Sequence, residues 1–179
     1  MSDKRWRGWE VAGLLVTLAL GNLLHFVYDW CGESPAAAIF AAVNESTWEH
    51  MKLLTVPWVL WSAVEWLAVG RGGPVLAGRA LGLLAGLAAI PLLFYTYRGI
   101  LGRDVMWLNV AIFQAAVLIA FWLSWRVQSR RRLTDGLWQL AGGLVLAALW
   151  ALFILWTFAP PQLPLFVDSE TGLRGIPPR

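Results

Sequence analysis

The sequence predicts an all-α membrane protein with five transmembrane helices, a short re-entrant or interfacial helix after the first span, and a C-terminal extracytoplasmic tail. Three observations predict it. Hydrophobic residues make up 59% of the 179 and charged residues 14%, with a mean hydropathy of +0.61, which is too little polar surface to cover a soluble domain. Apolar stretches of about 18 residues or more are long enough to cross roughly 30 Å of hydrocarbon as helices. Five occur, at residues 11–28, 47–69, 75–97, 105–125 and 137–158. Finally, lysine and arginine are shared unequally between the two sets of connecting loops, as they are when charge sets topology.

The first span follows Lys4, Arg5 and Arg7, a basic start like that of a signal peptide. Its apolar run is longer than a signal core, no small-x-small cleavage site follows, and four spans come after it, so it is expected to be retained. Residues 36–43, AAAIFAAV, are too few to cross alone and suit a re-entrant or interfacial segment. The second span opens on Ser46-Thr47-Trp48-Glu49, a capping box in which each end side chain bonds the other's backbone N–H. Pro57 and Pro91 fall inside the second and third spans and predict kinks. Gly78, Gly82 and Gly86 recur every four residues and form one small-residue stripe, suited to close helix packing within the chain or to a homodimer seam. Gln114 and Ser124 read as interhelical hydrogen bonders, and Glu65 and Arg79 as a pair or as snorkelling side chains.

Residues 1–159 therefore form the bundle and 160–179 the tail, where Ala159-Pro160-Pro161 ends the last helix. Residues 164–168 and 173–176 flank Ser169-Glu170-Thr171-Gly172, which predicts a hairpin that can act as a lid, with disorder as the competing reading.

With the N-terminus inside, the cytoplasmic ends hold Lys4, Arg5, Arg7, Arg71, Arg79, Arg126, Arg130, Arg131 and Arg132, and the outer side only Lys52, Arg98, Arg103, Arg174 and Arg179. That asymmetry predicts an inner (plasma) membrane protein with a cytoplasmic N-terminus and an extracytoplasmic C-terminus. Trp6, Trp9, Trp66, Trp122, Trp125 and Trp138 then mark inner ends, and Trp30, Trp48, Trp107 and Trp156 outer ends, as an aromatic belt requires. The net charge of +3 is accounted for by topology, so the expected partner is the lipid bilayer and not nucleic acid. The single cysteine, Cys31, excludes an internal disulfide.

The stretch NESTWEHMK, residues 44–52, sets two carboxylates, a histidine and a lysine before an apolar run. Capping explains Ser46 and Glu49, and the macrodipole partly explains Glu45; neither explains His50. Asn22, His25 and Asp29, spaced i, i+3, i+7, share one face of the first span. At about 1.5 Å per residue, His25 one turn below Asp29 and His50 one turn below Ser46 fall at the same depth. They are the only histidines. Asn109 lies at the same level, with Tyr95, Tyr97 and Arg98 at the outer end of the third span. Ionisable groups inside a membrane are costly unless they face a cavity or one another, so Asn22, His25, Asp29, Asn44, Glu45, Glu49, His50, Arg98 and Asn109 define a candidate outward-facing binding pocket.

Three uses of that layer compete. His25, His50, Asp29 and Glu49 can supply imidazole and carboxylate ligands to a divalent transition metal such as zinc, whose bound water would hydrolyse a substrate from the outer leaflet. The same groups can line a transporter or channel path without metal, with Arg98 and Lys52 pairing the acids. They can also be structural, fixing helix register without catalytic activity. Whether the protein is an enzyme stays open at this level.

LHFVYDWCG, VNESTWEHMKLL and the closing PPQLPLFVDSETGLRGI together resemble an uncharacterised family of small bacterial integral membrane proteins, a domain of unknown function. The resemblance covers nearly the whole chain and rests on the Asn-Glu-Ser-x-Trp-Glu-His-x-Lys segment. One position departs: Arg174 precedes Gly175-Ile176 where the family's pattern has an aromatic residue. The resemblance implies bacterial origin and a multi-span fold and carries no established activity.

Overall fold

The computed structural model describes residues 3–69, 74–130 and 133–177. Arg71, Arg131, Arg132 and Arg179, which contribute to the charge asymmetry, lie outside them. The elements are α1 (Asp3–Trp30), α2 (Pro35–Ala38), α3 (Thr47–Val69), α4 (Val75–Leu101), α5 (Met106–Ser129) and α6 (Gly136–Phe158), with a 3₁₀ turn at Pro164–Phe166. Four stretches, Arg7–Trp30, Val75–Leu101, Met106–Ser129 and Gly136–Phe158, are long and apolar enough to cross a membrane. Of the five spans expected, α3 is the exception: at 23 residues it has the length, but it carries Glu49, Lys52 and Glu65.

Close approaches between helices give the arrangement. Gly13 faces Trp61 and Gly21 faces Leu53 across α1 and α3; Gly78 faces Gln128 and Gly86 faces Ala116 across α4 and α5. Trp58 bonds the carbonyl of Arg79 across α3 and α4. In each pair one number rises as the other falls, so consecutive long helices run antiparallel, as short connections dictate. Gln139 Oε1 accepts from Leu76 N and Thr157 Oγ1 donates to Glu49, which sets α6 parallel to α4 and antiparallel to α3. The bundle thus has a histidine end, where α1 finishes and α3 begins, and an arginine end, where α4 begins.

α3 runs through the middle. Every residue from 46 to 58 except His50 is buried, so in its first half this helix has no outward face. A helix sheathed by other helices can carry charge where a lipid-facing one cannot, and this is the physical reason α3 departs from the apolar pattern of its neighbours. The glycine stripe is used within the chain: a Cβ on Gly82 would sit 2.6 Å from Ala120 O, and one on Gly86 would sit 2.8 Å from Leu54 Cδ2.

The segment expected as a helix over 36–43 closes after one turn. Ser34 Oγ accepts from Ala37 N at 3.2 Å as N-cap, and the chain then folds back with Ala38 and Ala41 completely buried. The tail is ordered against the bundle. Phe166 is 2% exposed, with ring centroids 4.8 Å from Trp48 and 5.5 Å from Trp156. Trp48 is therefore core, not belt, whereas Trp30, Trp107, Trp122 and Trp138 are exposed as a belt requires. The expected hairpin reduces to a single antiparallel bridge, Val167 to Arg174, with Gly172 at φ 72° in the turn. That left-handed value is open to glycine without strain.

Candidate functional site

Local structure at 43–50 decides which acid meets the histidines. Asn44 Oδ1 accepts from Ser46 N at 2.9 Å, a side-chain turn that mimics a backbone one, and Ser46 Oγ accepts from Glu49 N at 3.3 Å. Half of the capping box forms. The other half does not: Glu49 accepts from Val43 N at 3.2 Å and pairs with Lys52 at 2.5 Å instead of reaching back to Ser46. Glu45, just outside the helix, is left half-exposed.

Glu45 and the two histidines converge. His25 Nε2 lies 3.5 Å from Glu45 Oε1, and His50 Nε2 lies 3.5 Å from Glu45 Oε2. The imidazole centroids are 5.5 Å apart, which bears out the equal depth inferred from helix rise. One ligand atom from each of the three residues falls within 4.8 Å of the other two. His50 Nδ1 lies 2.9 Å from the carbonyl of Ser46; as donor there it leaves the Nε2 lone pair facing Glu45, the second-shell arrangement that orients metal-binding imidazoles. The His25 ring sits edge-on to Phe26 at 5.1 Å, with Nδ1 buried and without a hydrogen-bond partner.

The cluster opens into a cleft of about 640 Å³ between α1 and α5. Its polar side holds Asn22, Arg98, Asp104, Asn109, Ser169 and Glu170; its apolar side holds Phe26, Leu53, Met106, Val110 and Phe113. Of the apolar group, Phe26, Met106 and Val110 are about half exposed or more. At the inner end a Cβ on Gly21 would meet Phe113 at 2.5 Å and Leu53 O at 3.0 Å, so the helices close on one another there.

Not all the residues singled out in the sequence share this site. Asp29 is exposed and is not in the cluster; the acid between the histidines is Glu45. Glu49 is 2% exposed and faces the opposite way, toward Lys52 and Thr157. Asn44 donates to Gly175 O at 2.7 Å and so ties the tail. Asn22 and Arg98 line the cleft; Asn22 accepts from Gln114 at 3.4 Å, and Arg98 lies 3.9 Å from Asp104. Asp104 is the residue that sequence reasoning missed. Its Oδ1 accepts from Asn109 at 2.7 Å and from the Tyr97 hydroxyl at 3.1 Å. The signal was present, since Asp104 stands one residue before the fourth span, but only the fold brings Tyr97 back beside it.

The tail closes over one side of the site. Ser169 Oγ donates to Glu45 O at 3.3 Å, and Ser169 and Glu170 line the cleft. Asn44→Ala is expected to free this strap. Losing one buried side-chain bond costs about 1–2 kcal/mol, so amide exchange at Asp168 and Gly172, both bonded within the tail turn, should accelerate roughly tenfold in hydrogen-exchange mass spectrometry. Unchanged exchange would show that Phe166 alone holds the tail.

These features define a class: an all-helical protein with several helices apolar and long enough for a membrane, and a histidine and carboxylate cluster in a cleft among them. Residues 2–176 match a family of unknown function (DUF6512), and the chain belongs to it. No curated protein and no solved structure matches the chain.

Proposed function

We propose that this is a bacterial inner-membrane protein crossing the bilayer five times, α3 included, with its N-terminus in the cytoplasm and the histidine end facing outward. There His25, Glu45 and His50 bind a divalent transition metal such as zinc and hydrolyse an amphiphile entering from the outer leaflet. One observation carries the reading: the imidazole Nε2 atoms of His25 and His50 converge on the single carboxylate of Glu45, and His50 is the only residue from 46 to 58 that is not buried. Two histidines and a carboxylate are a zinc ligand set that leaves a position for water, and such water reaches a pKa near neutrality. Zinc bonds of roughly 2.0–2.2 Å space tetrahedral ligand atoms by about 3.4 Å, so the two 3.5 Å separations already fit and only the widest, within 4.8 Å, has to close by about 1 Å.

The cleft supports the substrate class. Phe26, Met106 and Val110 offer an apolar chain a wall at the bundle surface, while Arg98 and Asn109 offer polar contacts near the cluster. Asp104, held by Asn109 and Tyr97, lines the same cleft as the cluster, and in this reading it takes a proton from the attacking water. Close packing at Gly21 favours a closed pocket over a conduction path.

The test is elemental analysis of protein purified without chelators after metal-supplemented growth. Wild type and Asp29→Asn are expected to hold near-stoichiometric metal, and His25→Ala, His50→Ala and Glu45→Gln to lose it. Absence of metal from wild type would overturn the reading.

A further inference from the structure

A second polar cluster lies at the arginine end, built on α1 and α3, which also carry the histidines, and on α4. Arg79 of α4 is completely buried and is engaged by two acids, Glu65 of α3 and Glu10 of α1. Its guanidinium carbon sits 5.0 Å from the Trp58 ring centroid and 4.8 Å from that of Phe121, so aromatic faces, not water, complete its surroundings. Glu65 is 0% exposed and Glu10 is 7% exposed. Two carboxylates thus face one guanidinium in a site without solvent. Among the described residues, the other groups bonded to the cluster are neutral: Gln128 Nε2 donates to Glu10 Oε1 at 2.8 Å and Ser124 Oγ to the same atom at 3.4 Å. Arg7, Arg126 and Arg130 on the neighbouring turns are exposed and turned away.

An unbalanced charge here is expensive. Removing an ion from water into protein costs several kcal/mol, which a well-formed pair offsets and a lone charge does not. One carboxylate is matched: Glu65 Oε2 accepts from Arg79 Nε at 2.6 Å and lies 2.6 Å from Nη2. Glu10 is not. Its nearest guanidinium nitrogen, Nη2, is 3.4 Å away, and Oε2 is buried with no hydrogen-bond partner, as are Glu65 Oε1 and Gln128 Oε1 among the acceptors and Arg79 Nη1 and Nη2 among the donors. Two buried carboxylates on one guanidinium leave the cluster short of one positive charge, and Glu10 Oε2, buried and without a hydrogen bond, is the oxygen on which a proton can supply it.

We infer that the Glu10, Glu65, Arg79 cluster is a proton-binding site, with one proton held at Glu10 Oε2 and the cluster neutral when it is bound. Glu65 is the counter-ion of Arg79; Glu10 is the proton carrier. This site is independent of the histidine cluster and stands whether or not that cluster binds metal.

Infrared difference spectroscopy of protein reconstituted in lipid at neutral pH tests it. Wild type is expected to show the carbonyl stretch of a protonated carboxylic acid, shifting in D₂O, and Glu10→Gln to lose it, while Glu45→Gln at the other end keeps it. A wild type without the band, or a band that survives Glu10→Gln, would overturn the assignment. Stability gives a second reading. Glutamine has the shape and neutrality of the protonated acid, so Glu10→Gln should melt within a few degrees of wild type, whereas Glu65→Gln, which strips Arg79 of its partner, should lose most folded protein. Failure of Glu10→Gln to fold would mark Glu10 as a charged partner and sink the proton carrier. A wild-type melting temperature that depends on sodium over choline would assign the missing charge to a metal cation and do the same.

Discussion

Lys52→Met is expected to leave little folded protein. The ammonium is 0% exposed and lies 2.5 Å from Glu49, itself 2% exposed. It also donates to Ala38 O at 2.9 Å and to Thr157 Oγ1 at 3.0 Å, while the threonine hydroxyl donates to Glu49 at 2.8 Å. One lysine therefore joins α3 to α6 and to the last residue of α2. Removing one member of a buried pair strands the other charge, at about 3–5 kcal/mol, against a total stability of about 5–15 kcal/mol for a typical domain. The yield of monodisperse protein in detergent and its melting temperature would both collapse. In Lys52→Met with Glu49→Gln the stranded charge is gone and the amide still serves Val43 or Thr157, so most of the loss should be recovered. A single variant that melts within a few degrees of wild type would show that water reaches the pair.

This pair also marks where sequence reading stops. The helices were legible because hydrocarbon demands long apolar runs, and the shared depth of His25 and His50 followed from helix rise alone. Some partners on regular helices were legible too: Glu65 pairs with Arg79, and Gln114, read as an interhelical hydrogen bonder without a named partner, donates to Asn22. The choice among Asp29, Glu45 and Glu49 was not. It depends on the turn at Asn44 to Ser46, on Lys52 drawing Glu49 into the interior, and on α1 turning Asp29 outward, none of which a periodic pattern contains. Asp104 depends in the same way on a loop, and Glu10 joins Arg79 only because α1 crosses both α3 and α5.

The two polar layers differ in a way that bears on function. At the arginine end Trp58 and Phe121 cover the Arg79 guanidinium, and Arg79 and Glu65 are completely buried. At the histidine end His25, Glu45 and His50 line an open cleft, and Glu45 is 37% exposed at its side chain. Small, diffusible groups suit the first, and a substrate of some size suits the second.

Neighbouring glycines in α6 should respond to alanine with opposite signs. A Cβ on Gly142 would lie 2.5 Å from Leu76 C and O and 2.6 Å from Ala77 N. These are backbone atoms in the first turn of α4, fixed further by Leu76 N donating to Gln139 Oε1 at 2.9 Å, so the helix cannot yield locally. Small residues at such crossings let transmembrane backbones meet, and forcing a methyl between them costs about 1–3 kcal/mol. On Gly143 the nearest atom would be Leu76 Cδ1 at 3.4 Å, an ordinary contact with a side chain. There alanine keeps only its intrinsic advantage in a helix, about 0.5–1 kcal/mol over glycine. Gly142→Ala should therefore lower the melting temperature in detergent and Gly143→Ala hold or raise it. Gly142→Leu should abolish the α4 contact and with it most folded protein. If both alanine variants shift the same way, helix propensity alone governs α6, and the close approach to α4 is not a determinant of the fold.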